Sequence, residues 1–214
     1  MEIALFPLNT VLFPGMRLPL NIFEERYKLM LTRCLEESSP FGVVLIRKGE
    51  EVGAGAEPFE VGTTARIRSV EESEDGRFLI VVEGEMRFRI EEQVHRYPYV
   101  RARIAPYPYE PGEVDTQVVD EVQRLYREFG STALAMTGQW VRNMDVPDEA
   151  EELVNFVGAR LSSANASKQR ILEAPTTELQ LELERDDLRR ECETMKERFR
   201  SQQAQRWWTL AATN

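Results

Sequence analysis

The feature that most constrains this chain is a change in the spacing of its apolar residues. Up to about Tyr107 they fall in short strands around one helix, with several of the strands alternating at every second residue. Beyond Tyr107-Pro108-Tyr109-Glu110-Pro111-Gly112 they recur every third or fourth. Period two is the mark of strands with one buried face, and a period near 3.6 is that of amphipathic helices. A chain whose strand signals stop at a Pro- and Gly-punctuated segment and give way to helical spacing predicts an α+β chain of two parts. The expected boundaries are a β-barrel over residues 1–108 and an α-helical bundle over residues 113–214, ending in a long helix.

The strand-rich part opens with an apolar run that ends at the Pro14-Gly15 turn, and a second short strand, Leu18 to Leu20, follows. A helix is expected from near Ile22, with Asn21 and Glu24 spaced as a capping box. Its apolar face would comprise Phe23, Tyr27, Met30, Leu31 and Cys34, and Ser38-Ser39-Pro40 would end it. Further strands are predicted at Phe41–Ile46, Thr64–Val70, Phe78–Val82, Met86–Ile90 and Tyr99–Ile104. Gly49–Gly62 reads as a hairpin or loop, and Glu71–Gly76 as an acidic turn. Many short strands separated by Gly and Pro turns suggest a closed or nearly closed barrel.

In the second part, Val118, Val122, Leu125 and Phe129 share one helical face. A second stripe is Ala150, Leu153, Val154, Val157 and Leu161. A short helix is expected from about Ser167 to Glu173, before Pro175. Thr176 or Thr177 can cap the last helix, whose stripe is Leu181, Leu188, Cys192, Met195 and Phe199.

The residue types narrow the chemistry. The 214 residues carry a formal net charge of −10, so neither part is the basic module that phosphate binding requires. No apolar run approaches the roughly 20 residues of a membrane helix, and the amino terminus lacks the pattern of a secretory signal. Cys34 and Cys192 are far apart, which fits buried thiols in a reducing, cytoplasmic setting. With His95 as the single histidine, no metal site is expected, and no cofactor motif is present.

Several segments carry a family resemblance. They are Phe6-Pro7-Leu8-Asn9-Thr10-Val11-Leu12-Phe13-Pro14-Gly15, Phe41-Gly42-Val43-Val44-Leu45-Ile46 and Val61-Gly62-Thr63-Thr64-Ala65-Arg66-Ile67. Val82-Glu83-Gly84-Glu85-Met86-Arg87-Phe88-Arg89-Ile90 and Tyr97-Pro98-Tyr99-Val100-Arg101-Ala102 follow in the same order. Together they resemble the amino-terminal, substrate-binding domain of Lon-type ATP-dependent proteases, and the helical part resembles the helices that follow it there. The resemblance implies a PUA-like β-barrel with an embedded helix, followed by a helical bundle. It also implies recognition of unfolded or tagged polypeptide. The chain departs from the full proteases in having no Gly followed by Lys, hence no phosphate-binding loop, and no segment matching the Ser-Lys catalytic domain.

The candidate binding residues follow from side-chain chemistry. Leu12, Phe13 and Met16 lie in the first loop, and Tyr97, Tyr99, Tyr107 and Tyr109 alternate with prolines. Tyrosine offers apolar area at low entropy cost, so these residues form either a peptide-binding wall or packing at the seam of the two parts. Arg66 and Arg68, Arg87 and Arg89, and Arg101 and Arg103 are i, i+2 pairs on three strands. If those strands are neighbours, the six guanidinium groups line one surface, either as a ledge for anionic groups or as a solvated exterior paired with glutamates. Trp207 and Trp208 either fold back on the bundle or contact another chain.

The expected function is a non-catalytic, polypeptide-binding adaptor or chaperone-like protein without ATPase or protease activity. The first alternative is an RNA-binding PUA-like module, which the acidic balance disfavours. The second is a Lon-type peptidase in family terms only. The partner would be unfolded or tagged polypeptide, or another protein. No membrane role is expected, nucleic acid is disfavoured, and the oligomeric state is not encoded in any visible signal.

Overall fold

The computed structural model describes residues 1–51, 55–95, 98–139 and 144–212, with residue 95 and residues 202–212 described by their backbone alone. Tyr97 therefore lies outside the described residues, and the side chains of His95, Trp207 and Trp208 lie outside the description. The described chain divides into two units. Residues 1–110 and 164–175 form the first, and residues 111–163 with 176–214 form the second.

The first unit holds strands β1 (Glu2–Leu8) and β2 (Arg17–Ile22), helix α1 (Glu25–Glu36), and strands β3 (Phe41–Lys48), β4 (Glu57–Pro58), β5 (Val61–Glu72), β6 (Phe78–His95) and β7 (Arg101–Pro106). Helix α4 (Asn165–Glu173) completes it. The strand order is β1-β7-β6-β5-β3-β4. β1 also pairs parallel to β3, which closes five strands into a barrel with no free edge around the ring. β2 lies off that ring, antiparallel to the first part of β6.

The long β6 departs from the two short strands predicted there. It bends at bulges opposite β5, between Thr63 and Ala65 and between Ile67 and Ser69, so one strand serves two neighbourhoods. Residues 78–83 pair with β2, and residues 88–95 pair with β7.

Both faces of β1 are buried, as its nearly unbroken apolar run requires. Ile3 and Leu5 join Val44, Phe88, Ala102 and Ile104 in one core. Ala4, Phe6 and Leu8 join a second core built around α1, with Leu20, Ile22, Phe41, Val43, Ile80 and Val82. From α1 come Tyr27, Met30, Leu31 and Cys34, the expected spacing. The Phe6 and Tyr27 rings meet edge to face, 4.3 Å between centroids. Each such side chain taken from water contributes about 1.5–3 kcal/mol.

Two sequence expectations for α1 need correction. Phe23 is 47% exposed, because the helix begins only at Glu25 and leaves residue 23 outside the apolar stripe. The N-cap is Glu24 and makes no side-chain capping bond, so Asn21 and Glu24 do not act as a capping box. The Glu24 carboxylate instead pairs with Arg26 at 3.0 Å.

The loop between β1 and β2 is held by close backbone approach. The Gly15 amide donates to the Gly84 carbonyl at 2.8 Å, and the Gly84 amide donates to the Met16 carbonyl at 2.9 Å. A Cβ at residue 84 would collide with the Phe13 carbonyl oxygen, so only glycine admits the loop here. Thr63 Oγ1 adds a bond to the Leu12 carbonyl at 2.6 Å.

The second unit contains α2 (Thr116–Met136), α3 (Ala150–Gly158) and α5 (Thr177–Ala212). Asp115 caps α2 by accepting from the Gln117 amide at 2.8 Å. The predicted stripes meet here in part: Val118, Val122 and Leu125 of α2, Leu153, Val154 and Val157 of α3, and Leu181, Leu188 and Cys192 of α5 are buried, while Phe129, Ala150, Met195 and Phe199 are only half-buried. The Tyr126 and Phe156 rings pack edge to face at 5.2 Å. α5 runs 36 residues, roughly 54 Å. Thr176 Oγ1 accepts from the Leu179 amide at 3.2 Å, the predicted cap. Helix α4, read from the sequence as part of the helical region, instead belongs to the first unit.

Candidate polypeptide-binding surface

The predicted aromatic and apolar contacts do not form one wall. Leu12 is 1% exposed and Phe13 0%, because the glycine-mediated approach described above folds the first loop against β6. Neither offers surface to a ligand, which corrects their assignment as contacts. Tyr99 is 3% exposed, and its hydroxyl accepts from Arg33 Nη1 at 3.2 Å. Tyr99 is a core residue and not a binding residue. Met16 alone of the first-loop candidates is half-buried, packed on the rim of the core around α1.

Tyr107 and Tyr109 flank a buried cation. The Arg87 guanidinium lies 3.7 Å from the Tyr109 ring centroid and 4.9 Å from that of Tyr107. Its Nη1 donates to the main-chain carbonyls of Leu172 and Ala174 at 2.8 and 2.7 Å. Those carbonyls end α4, where the helix dipole favours a positive charge. Burial pulls the guanidinium below its ordinary pKa, against Tyr109 and Tyr107, which raise it. Tyr107 Oη donates to the Glu173 carbonyl at 3.0 Å. Gln169 Nε2 donates to the Val61 carbonyl at 3.0 Å, and Asn165 Nδ2 bonds the Asn9 carbonyl. This cluster fastens α4 to the strands.

The six arginines likewise do not make a free cationic ledge. Arg66 pairs with Glu85 through Nη2 at 3.2 Å, and Arg68 with Glu83 at 3.1 Å. Arg101 pairs with Glu2 and Arg103 with Glu92, each at 2.8 Å. Arg89 lies 4.6 Å from the Tyr107 ring centroid, and Arg87 is buried. Arg87 and Arg89 share a face of β6, since both lie over the Tyr107 ring, but the carboxyl end of α4 covers Arg87 there and takes it out of any ledge. Exposed ion pairs of this kind are screened and contribute little.

A different apolar surface emerges from strand register. Across β2, β6 and β5 run the rows Leu18–Val82–Ile67 and Leu20–Ile80–Val70, continued by Ile22–Phe78. The middle of each row is core, while Leu18, Ile67, Val70 and Phe78, with Met16, are only half covered. Phe23 follows Ile22 in the open. Sequence reasoning missed this rim: period two tells which face a residue occupies, not how far along the strand the cover extends.

Among the described residues no three His, Cys, Asp or Glu side chains converge as metal ligands, and no helix is long and apolar enough to cross a membrane.

The profile of the ATP-dependent protease La (LON) substrate-binding domain matches residues 2–190. The chain belongs to this family. It is similar to Lon protease of Anaeromyxobacter dehalogenans, 26% identical over 198 residues, which cover 88% of this chain and 23% of that protein. It is also similar to Lon protease of Flavobacterium johnsoniae, 27% identical over 225 residues, covering 98% of this chain and 27% of that protein. The chain thus spans about a quarter of the curated Lon relatives it matches.

In fold it is similar to the Lon N-terminal domain protein from Xanthomonas campestris, with a TM-score of 0.66 and 23% identity over 85% of this chain and 95% of that one. The N-terminal domain of Mycobacterium avium complex Lon protease matches with a TM-score of 0.64 and 18% identity, over 88% of this chain and 98% of that one. The Lon N-terminal fold, a mixed α+β arrangement ending in a long helix, is therefore the fold of this chain.

Proposed function

We propose that this Lon substrate-binding-domain protein binds unfolded or tagged polypeptide without cleaving it, as an adaptor or chaperone-like factor. The observation that carries the reading is the half-covered apolar rim of Met16, Leu18, Ile67, Val70 and Phe78, on a chain whose family is described by substrate binding. Such a rim contacts short apolar segments and leaves the flanking chain in water. Ordering a flexible ligand offsets much of the contact energy, so affinity on the order of micromolar is expected. The net charge of −10 and the internally paired arginines disfavour an RNA partner.

Fluorescence anisotropy with a labelled, reduced and unfolded model protein tests the reading, beside an RNA hairpin at two salt concentrations. Leu18→Asp and Phe78→Asp should each weaken polypeptide binding about tenfold, since each places a charge in the contact. Arg101→Ala should change it little. Tight, steeply salt-dependent RNA binding without polypeptide binding would overturn the proposal.

A further inference from the structure

Outside the closed ring, the short β4 pairs only with β3 among the described residues, and two longer edges flank residues 78–83 of β6. One is β2, which among the described residues pairs only with β6. The other is the second half of β5. β3 reaches β5 only at Thr63, Thr64 and Ala65, so residues 66–72 have β6 on one side and no strand on the other among the described residues.

Hydrogen-bond parity shows which backbone groups face outward. The Gly84 amide donates to Met16, so even-numbered residues of this part of β6 bond toward β2 and odd-numbered ones toward β5. The partners of Val81 and Leu79 in β5 are Ser69 and Glu71, and these face inward to the ladder. Val70 and Glu72 then turn their amides and carbonyls to the open side. On β2 the outward positions are Arg17, Pro19 and Asn21. Pro19 has no amide, so that edge is blocked as edges commonly are. No proline occurs from residue 66 to residue 72.

The open β5 edge is also where the apolar rows end. Ile67 and Val70 are the last members of Leu18–Val82–Ile67 and Leu20–Ile80–Val70, and both are half covered. A strand laid beside β5 would satisfy its outward backbone groups and extend both rows at alternate side chains. Arg66, Arg68, Glu71 and Glu72 are exposed along this edge, and a bulge lies at residue 68. Both features hinder pairing of two identical edges and leave a transient guest strand admissible.

We infer that the β5 edge at residues 66–72 captures an extended polypeptide segment with apolar residues at alternate positions, by adding it to the sheet as a further strand. This rests on the polypeptide-binding reading above and specifies its mode. Main-chain bonds would supply affinity for any sequence, and Ile67 and Val70 a preference for alternating apolar segments.

The test uses the intact chain and a fluorescein-labelled peptide alternating valine with threonine. A peptide of the same composition with its valines contiguous is the control, and the unfolded model protein is measured beside both. The alternating peptide should bind, and methylating the main-chain nitrogens of every second residue should abolish binding in one register but not in the other. Amide exchange followed by NMR should slow about tenfold or more at Val70 and Glu72 on peptide addition, and hardly change at Ser69 and Glu71. If the unfolded protein binds but both methylated registers are tolerated, or the scrambled peptide binds equally, strand addition is overturned while polypeptide binding stands. If neither ligand binds, both proposals fall.

Discussion

Arg87 reaches across 85 residues of sequence to donate to the carbonyl oxygen of Leu172 at 2.8 Å. The cation on β6 thereby closes the carboxyl end of α4. Arg87→Ala would leave the Leu172 and Ala174 carbonyls without this donor and remove the packing of Tyr107 and Tyr109. The expected loss is about 2–3 kcal/mol in chemical denaturation. Arg87→Lys should recover only part of it, because an ammonium cannot reproduce the planar stacking. Wild-type stability in Arg87→Ala would show that α4 is held by apolar packing alone.

Gly84→Ala should destabilise the chain by about 1–3 kcal/mol, because the added methyl meets the Phe13 main chain rather than a movable side chain. Gly76→Ala is a useful contrast. Residue 76 has φ +73 but open space around it, so its cost is backbone strain alone. The melting temperatures of the two variants separate steric from conformational effects.

Tyr27 and Phe23 should part company. Tyr27→Ala empties a core site and should cost about 3 kcal/mol or more. Phe23→Ser should change stability by no more than about 0.5 kcal/mol, as exposed positions do. If Phe23→Ser weakens polypeptide binding at unchanged melting temperature, residue 23 joins the contact surface.

Alkaline pH should destabilise the fold partly through Tyr27. Burial raises its phenol from 10.0 to about 12, with Arg26 lowering it and Glu24 raising it. The folded state therefore holds the proton more tightly than the unfolded chain. This contribution is complete below pH 10.0 and is lost as pH rises toward about 12. Tyr27→Phe should flatten that part of the stability profile.

Glu184 carries the opposite kind of lesson, since its burial costs stability at neutral pH. Burial drives its carboxyl well above the ordinary 4.5, with the Gly158 amide pulling it down and Asp187 pushing it up. Stability linked to this group is present below pH 4.5 and falls as pH rises through the folded pKa. Glu184→Gln should raise the melting temperature at pH 7, and the difference should shrink below pH 4.5. An unchanged profile would mean that the carboxylate is ionised at no cost.

The sequence by itself determined what depends on near neighbours. Unbroken apolar runs or alternation marked the barrel strands, and the stripes Leu153–Val154–Val157 and Leu181–Leu188–Cys192 marked helices whose buried faces the structure confirms. Those patterns are local, because a strand or helix must show one face to the core whatever lies across from it. The family segments were legible for the same reason. What only the tertiary structure decided are relations between distant segments. Arg87 looked like one of six surface cations until the end of α4 supplied acceptors for it. Leu12 and Phe13 looked like a loop on offer until Gly84 let their backbone approach β6. Among the described residues, the edge at residues 66–72 is open because β3 pairs with β5 at Thr63, Thr64 and Ala65 and no further. Burial and edge exposure are properties of where strands stop and what packs beside them, and residue spacing within one segment carries no information about either.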